Sequence, residues 1–464
     1  MTRSASTRPS LSDGLELAEA LRSLRSEPSG LVAASVDVRT GRIVDSSPIP
    51  DELGDYVQYV DRLGERTGAD WCRSWALEQA RRAIELCEID AGWVRCRVER
   101  RWLNWVPHVS WISLVGSGDF YLGLSALYER TRAAWLLEAF DRFLNRILQQ
   151  ACHGQAPVYG LFVQGGRRVA ALPMTEPMTA AYLIDAAMGF HRGSADARFL
   201  DAASGLASGW PALETFRTRS LFSRTWHGPR WARPLVDWQF RARRRPPLDA
   251  TIFVKGDTML VMSMLALGRQ RAEPWIGPTC RAWAQAALRT ARQADGSFRT
   301  VWFPGAPARE QPQLGENHSW IECLIDLGRD LAIPDCLDAA RSCAEFWLSQ
   351  QSAVGLIRAH PGARLAHLDP QIDLAVQLYR LSEATAERRW ADAADDLLAA
   401  VWQCHRVGRL LSQTADVTTG SPASDVVETK FLGSFLKAVL VADAVETGAS
   451  LFQDESLRAL TADR

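Results

Sequence analysis

The chain has 464 residues, with 53 basic and 54 acidic side chains and a hydrophobic fraction of 47%. This balance excludes a disordered protein, which would have fewer apolar residues and a larger charge imbalance. A net charge of -1 argues against a dedicated nucleic-acid-binding protein. The sequence has no apolar run long enough to cross a membrane and no secretory signal at its N-terminus, so we expect a cytoplasmic protein.

Residues 1–49 are predicted to form an N-terminal extension that contains a helix and a small β-hairpin turning at Thr40-Gly41. From residue 50 to residue 464 helical periodicity dominates, and the helices come in pairs. The first members of these pairs begin near residues 53, 119, 176, 252, 317, 370 and 425. An interval of about 60 residues is typical of a repeated helical hairpin with a variable loop.

The two members of each pair differ in composition. First members are apolar and rich in small residues, whereas second members are amphipathic, with charged residues on one face. This asymmetry predicts an all-α (α/α)6 or (α/α)7 toroid, with buried inner helices inside an outer ring. A linear solenoid is the alternative, but it requires capping ends and usually a tighter sequence repeat. The segment around Gly165-Gly166 predicts an additional β-hairpin in a loop.

Nearly every pair carries a carboxylate where its first helix begins, and a toroid would bring these positions to one mouth of its cavity. These residues are Asp55, Asp119, Glu176, Asp257, Glu316, Asp369, Asp373 and Glu428. The structural alternative is helix capping, because carboxylates satisfy free N–H groups at helix N-termini.

A ring of carboxylates with aromatic walls is what glycoside chemistry requires, since one carboxyl protonates the leaving oxygen while a second activates water or attacks the anomeric carbon. We predict a glycoside hydrolase in which Glu316, Asp369 or Asp373 is the acid and Asp257 or Glu428 is its partner. The chain also has 18 Trp residues, whose indole faces can stack on sugar rings. The remaining candidates are predicted to bind substrate: Asp55, Tyr56, Asp119, Tyr121, Glu176, Trp226, Arg230, Trp231, Lys255, His318, Trp320 and Lys430.

Residues 217–245 contain nine arginines and three tryptophans. Arginine binds carboxylate, phosphate or sulfate in bidentate fashion, so this segment predicts a rim that recruits an anionic substrate. A solvated loop in an arginine-rich protein is the structural alternative, and binding of RNA or another acidic partner is a further one.

The segment ENHSWIECLIDLGRDLAIPDCLDAARSCAEF, which includes His318 and Glu322, resembles the histidine-containing hairpin of the N-acylglucosamine 2-epimerase family. That family has two histidines followed by a glutamate, whereas this chain has one histidine in a position shifted by one residue. The resemblance spans about 35 residues and implies a sugar-active (α/α) toroid. The segment ARQADGSFRTVWF resembles a structural element of squalene-type cyclases, in which the glutamine and tryptophan tie an outer helix to its neighbour.

We expect neither a metal ion nor a cofactor. The nine cysteines are scattered without a CxxC pair, which indicates reduced thiols. Cys152-His153-Gly154 resembles the zinc-binding CHG of lanthionine cyclases, but it lies early in the chain and the preceding WCxG element is missing. The sequence also lacks glycine-rich phosphate loops, GxSxG and HExxH.

Two other function classes remain open. One is a cyclase or isomerase acting on an isoprenoid diphosphate, which the arginine-rich segment would hold. The other is a non-catalytic glycan- or protein-binding toroid, favoured if the carboxylates only cap helices. The expected partner is a small-molecule or oligosaccharide substrate, anionic in character, rather than a nucleic acid or a membrane.

Overall fold

The computed structural model describes most of the chain. The described residues are 8–27, 29–46, 50–89, 92–95, 110–234, 238, 252–302 and 309–453. Cys96 and most of the second half of the arginine-rich segment lie outside them.

Helices dominate these ranges. In chain order they are α1 (Leu11–Ser23), α2 (Pro50–Thr67), α3 (Trp71–Cys87), α4 (Leu114–Thr131), α5 (Ala134–Gln150), α6 (Pro177–Ser194), α7 (Ala197–Ser208), α8 (Glu214–Arg219), α9 (Val254–Gln270), α10 (Ile276–Thr290), α11 (Leu314–Asp330), α12 (Pro334–Ser349), α13 (Leu368–Thr385), α14 (Arg389–His405) and α15 (Thr429–Glu446). All of the predicted first members are present, and each begins within about five residues of its predicted position.

The inner helices form a closed ring. Helices α2, α4, α6, α9, α11, α13 and α15 pack side by side in that order, and α15 packs back against α2. Within the described residues the ring therefore has seven members. The predicted toroid is confirmed in its seven-hairpin form, because the first and last repeats of a linear solenoid would not meet.

An outer helix covers each inner one. Helices α3, α5, α7, α10, α12 and α14 pack against the inner helices that precede them. The seventh outer position is filled by α1, which packs against both α15 and α2. An ion pair between Arg8 and Asp395, with a 2.9 Å separation, joins the segment before α1 to α14. The N-terminal helix, which the sequence assigned to an extension, thus covers the join between the first and last inner helices.

Small residues let the inner helices approach closely. A Cβ atom placed on Gly123 of α4 would lie 2.0 Å from the carbonyl oxygen of Gly54 on α2. At the α15–α2 contact, a Cβ on Gly433 would lie 2.6 Å from the Cβ of Tyr56. The small residues that mark the inner helices in the sequence are therefore required by backbone contact.

Short strands form small sheets in the loops. They are β1 (Ser35–Asp37), β2 (Ile43–Asp45), β3 (Glu88–Ile89), β4 (Trp93–Val94), β5 (Ser110–Ser113), β6 (Cys152–His153), β7 (Ala156–Pro157), β8 (Gly160–Gln164), β9 (Arg167–Ala171), β10 (Met174–Thr175), β11 (Thr225–Trp226), β12 (Ile252–Phe253), β13 (Val301–Trp302), β14 (Leu365–His367), β15 (Arg406–Val407), β16 (Leu410–Leu411), β17 (Thr414–Asp416) and β18 (Val426–Glu428). Both predicted hairpins are present, as β1–β2 and as β8–β9. Strand β1 also pairs with β18, which links the two ends of the chain a second time.

None of the helices in the described ranges combines the length and the apolar character that crossing a lipid bilayer requires.

Candidate functional site

Carboxylates stand where several inner helices begin, as predicted. Glu176 is the N-cap residue of α6 and Glu428 is the N-cap residue of α15, yet neither side chain makes a capping hydrogen bond. Asp257 lies in the first turn of α9. Capping therefore does not explain these residues, and their electrostatic surroundings distinguish them from one another.

Asp257 is a completely buried carboxyl group. By hydrogen-bond geometry neither of its oxygens has a partner among the described residues, although the indole N–H of Trp283 is near enough to act on the carboxyl group. Burial raises the pKa of Asp257 well above the usual aspartate value, and the nearby Arg224 and the indole of Trp283 offset this only in part. A carboxyl group with a raised pKa remains protonated at a pH where ordinary aspartates are ionised, so it can donate a proton.

Glu176 lies close to this centre and is held by an ion pair. The Arg224 guanidinium contacts Oε1 of Glu176, and both side chains are largely buried. The same arginine acts electrostatically on Asp257, which places all three charges in one neighbourhood. The surroundings of the two carboxyl groups therefore differ. By hydrogen-bond geometry Asp257 has no partner within the described residues, whereas Glu176 is paired with the Arg224 guanidinium.

A second buried group spans three other inner helices. Nε2 of His318 on α11 lies 3.9 Å from Oδ2 of Asp373 on α13, and Nζ of Lys437 on α15 donates a hydrogen bond of 2.7 Å to Oδ1 of the same aspartate. All three side chains are at least 95% buried. Asp373 is therefore committed to a cation, which makes it a less suitable general acid than the sequence suggested.

One arginine with two carboxylate partners lies one to two turns further along α11 and α13. Arg380, completely buried on α13, reaches Glu322 at 3.2 Å and Asp326 at 2.7 Å, both on α11. Its single positive charge lowers the cost of burying those two carboxylates. We interpret this buried network as a structural link between α11 and α13 rather than as a reactive group.

Several predicted binding residues face the protein core instead. Tyr121 is fully buried, stacks on Phe143 of α5 with a centroid separation of 4.6 Å and donates to the Ala139 carbonyl oxygen at 3.3 Å. Trp320 is 1% exposed and stacks on Trp283 at 5.5 Å. The prediction that Tyr121 and Trp320 bind substrate is not supported, because both rings fill the space between the inner and outer helices.

Tyr56 behaves in the same way. It is 2% exposed, lies 6.2 Å from the ring of Trp75 on α3 and packs against Gly433. Sequence periodicity places these aromatic residues on inner helices, but it does not indicate which face of a fully buried helix they occupy.

The remaining candidates are distributed around the helix starts. Lys430 pairs with Glu428 at 3.3 Å, and both are partly exposed. Half-buried positions are found for Asp119, Lys255, Glu316, Asp369 and Trp226. Arg230 is exposed and Trp231 is 75% exposed, so these two face solvent. The backbone of Asp55 belongs to α2, but its side chain is outside the described set.

Sequence reasoning missed Arg224, Trp283 and Arg380. Arg224 is one of nine arginines in residues 217–245, and no sequence feature distinguishes it from the others. Trp283 and Arg380 lie within predicted helices and belong to no recognisable motif. Lys437 is one of only three lysines in the chain, but it lies in the middle of a helix, away from the helix starts at which the sequence pattern predicts the site. In the described ranges no set of three or more His, Cys, Asp and Glu residues is arranged to hold a metal ion.

The fold is similar to those of several solved enzyme structures. The α-1,2-mannosidase from Trichoderma reesei matches with a TM-score of 0.65 and 11% identity, covering 94% of each chain. A D-mannose isomerase matches with a TM-score of 0.58 and 9% identity, covering 94% of this chain and 97% of that one. The unsaturated glucuronyl hydrolase from Bacillus sp. GL1 matches with a TM-score of 0.51 and 14% identity, covering 86% of this chain and 96% of that one.

No protein-family model matches the chain, and no curated protein matches its sequence. At these identities the structural matches establish the toroid fold. The function must be argued from the residues at the mouth.

Proposed function

We propose that this toroid is a carbohydrate-active enzyme, a glycoside hydrolase in which Asp257 is the general acid. The observation that carries the proposal is the buried Asp257 carboxyl, whose oxygens lack hydrogen-bond partners within the described residues and whose pKa burial raises. Hydrolysis of a glycosidic bond needs such a protonated group at the leaving oxygen. The fold supports the proposal, since it is shared with a mannosidase and a glucuronyl hydrolase.

Glu176 is the proposed partner carboxylate. Its side chain contacts the Arg224 guanidinium, and the same arginine acts electrostatically on Asp257, so the two carboxyl groups lie in one neighbourhood. Glu316 and Asp369, at the starts of the two inner helices that follow α9 around the ring, remain as alternatives for the partner role.

The proposed substrate is an anionic or decorated oligosaccharide. The arginine-rich segment exposes arginines at positions 217, 219 and 230 and the indole of Trp231. A guanidinium binds a sugar carboxylate or sulfate, while an indole face stacks on the ring that carries it. Raised salt should weaken this recruitment because it screens exposed charges.

The test is hydrolysis of a panel of neutral and uronate-bearing oligosaccharides, followed by release of reducing ends. Asp257→Asn should lower kcat by about 10²- to 10⁴-fold, the usual contribution of a positioned general acid. The matched control is Asp392→Asn on the outer helix α14, where the side chain is 62% exposed, and it should retain full activity. Full activity of Asp257→Asn would overturn its assignment as the general acid. Full activity after amide substitutions at Asp257, Glu176, Glu316, Asp369, Asp373 and Glu428 together would overturn the hydrolase proposal as a whole.

A second candidate is a sugar isomerase or epimerase, and the His318–Asp373 contact favours it. A buried imidazole beside a carboxylate can move a proton at the carbon next to a sugar carbonyl. The fold is also that of a D-mannose isomerase. Proton NMR in D₂O separates the two candidates, because an isomerase or epimerase exchanges that proton for deuterium without releasing a new reducing end.

A further inference from the structure

Two histidines from distant parts of the chain stack on each other outside the group formed by Asp257, Glu176 and Arg224. His153 ends β6 and His227 directly follows β11. Their ring centroids lie 3.9 Å apart, and the ring planes differ by 22°. His153 is exposed, whereas His227 is partly buried. Two neutral imidazoles can stack in this way, but two imidazolium ions at this distance repel each other.

His227 is fixed firmly to β10. Its Nε2 lies 3.1 Å from the hydroxyl oxygen of Thr175, and its backbone N–H donates to the carbonyl oxygen of Pro173 at 2.7 Å. Strands β10 and β11 pair antiparallel, with Thr175 opposite Thr225. The position of His227 is thus coupled to the register of this two-stranded ladder.

The same ladder leads directly to the proposed active centre. Glu176 follows Thr175 at the end of β10, and Arg224 precedes Thr225 at the start of β11. The Glu176–Arg224 ion pair therefore lies at one end of the β10–β11 ladder, near Asp257. The stack of His153 on His227 lies at the other end. A disturbance of the stack would be transmitted to the ion pair through only two residues of each strand.

The electrostatic surroundings of His227 are simple. Burial and the neighbouring His153 lower the pKa of His227 to about 4. Thr175, which faces it from β10, is not titratable, and among the described residues no other charged group acts on the ring. On the far side of the β6–β7 turn, Arg198 and Asp201 share a groove with Cys152 and Gly154.

We propose that His153 and His227 form an acid-sensitive clamp that positions the Arg224–Glu176 pair beside Asp257, and that protonation of the stacked rings releases it. Both histidines are positioning residues, since neither belongs to the carboxylate centre. The clamp rests on the proposed function only for its effect on activity. The stacking and its response to acid can be measured without any substrate.

The first experiment is an NMR titration of the histidine rings in the full-length protein and in its His153→Gln variant. His153 is exposed, so the variant should fold. Removing the second imidazole should raise the pKa of His227 by about half a unit or more, because the like charge is gone. His191→Gln is the control, since that ring lies at the end of α6 and bonds to the Asp196 carbonyl oxygen, and it should leave the His227 titration unchanged. An unchanged titration in His153→Gln overturns the clamp, whether or not the protein proves to be a hydrolase.

The second experiment is the pH profile of kcat/KM on whichever sugar substrate the enzyme turns over. The wild type should lose activity reversibly as the pH falls from about 5 to about 3, because His227, with a pKa of about 4, acquires its proton in this range. His153→Gln should retain at least twice the wild-type fraction of its own pH 7 activity at about pH 3.5, below the His227 pKa of about 4. Identical acid limbs for the two proteins overturn the clamp. Loss of the NMR effect and loss of activity are separate outcomes, so a failure of the clamp is distinguishable from a failure of the proposed function.

Discussion

Nζ of Lys437 lies 2.7 Å from Oδ1 of Asp373, and this contact joins two inner helices through residues 64 positions apart. Both side chains are almost completely buried. The pair uses one of only three lysines in the chain. It also distinguishes two buried carboxyl groups, because Asp373 is paired with a lysine while Asp257 has no such ion pair among the described residues.

Lys437→Met should destabilise the protein by about 3–5 kcal/mol, because it leaves Asp373 buried without its charge partner. Lys430→Met is the matched control. Its partner Glu428 is 37% exposed, and an exposed ion pair contributes about 1 kcal/mol or less. Denaturant-induced unfolding followed by circular dichroism measures both. An equal loss in the free energy of unfolding in the two variants would show that the buried pair contributes no more to stability than the exposed pair.

Asp257→Asn should make the protein more stable at pH 8. The pKa of Asp257 is raised in the folded state, so the folded protein holds a proton that the unfolded chain has already lost above about pH 4. The free energy of unfolding therefore falls as the pH rises toward the folded pKa. An amide cannot ionise, so the variant should gain about 1–3 kcal/mol over wild type at pH 8 and little at pH 4.

Thermal unfolding at the two pH values checks this expectation. The control is Asp392→Asn on the outer surface, where the side chain is 62% exposed, and it should change stability by less than about 0.5 kcal/mol at either pH. A stability difference for Asp257→Asn that is the same at pH 4 and pH 8 would show that this carboxyl titrates normally.

Trp320→Ala should cost about 3–5 kcal/mol, the usual penalty for removing a large buried aromatic ring. The indole is 1% exposed, and its ring centroid lies 4.6 Å from that of Phe298 and 5.5 Å from that of Trp283. Trp231→Ala removes an indole that is 75% exposed and should change stability by less than about 0.5 kcal/mol. Its effect should fall on substrate affinity instead, which separates a core tryptophan from one at the rim.

Gly123→Ala and Gly205→Ala should change stability in opposite directions. A Cβ on Gly123 would meet the Gly54 carbonyl at 2.0 Å, so α2 and α4 would have to separate, at a cost of about 1–3 kcal/mol or more. Gly205 lies within α7 with no atom within 4 Å of the added Cβ, and alanine there should stabilise by about 0.4–1 kcal/mol. The midpoints of chemical unfolding measure both. Destabilisation of similar size at both sites would contradict the close α2–α4 contact.

Most of the fold was predictable from local pattern. The alternation of small, apolar helices with amphipathic ones marks inner and outer positions, since each ring imposes its own burial on a helix. The number of hairpins was not predictable in the same way. The seventh outer helix, Leu11–Ser23, lies more than 400 residues from its inner partner Thr429–Glu446, and no sequence period connects them.

The site was predictable only in outline. Helix starts carrying Glu176, Asp257 and Glu428 could be read from the chain, and the structure places all three at such starts. Which of the carboxyl groups pairs with a cation could not be predicted from the sequence. Arg224 supplies the charge for Glu176 from another segment, and Lys437 does the same for Asp373.

The sequence by itself determined where the helices lie, which of them are inner, and that carboxylates recur at their starts. These features are local, since periodicity and composition depend on neighbouring residues. Only the tertiary structure decided that the ring closes with seven members, that Tyr121 and Trp320 belong to the core, and that Asp257 is buried with its pKa raised. Burial, ion pairing and pKa depend on distances between residues far apart in the chain, and these distances exist only once the ring has closed.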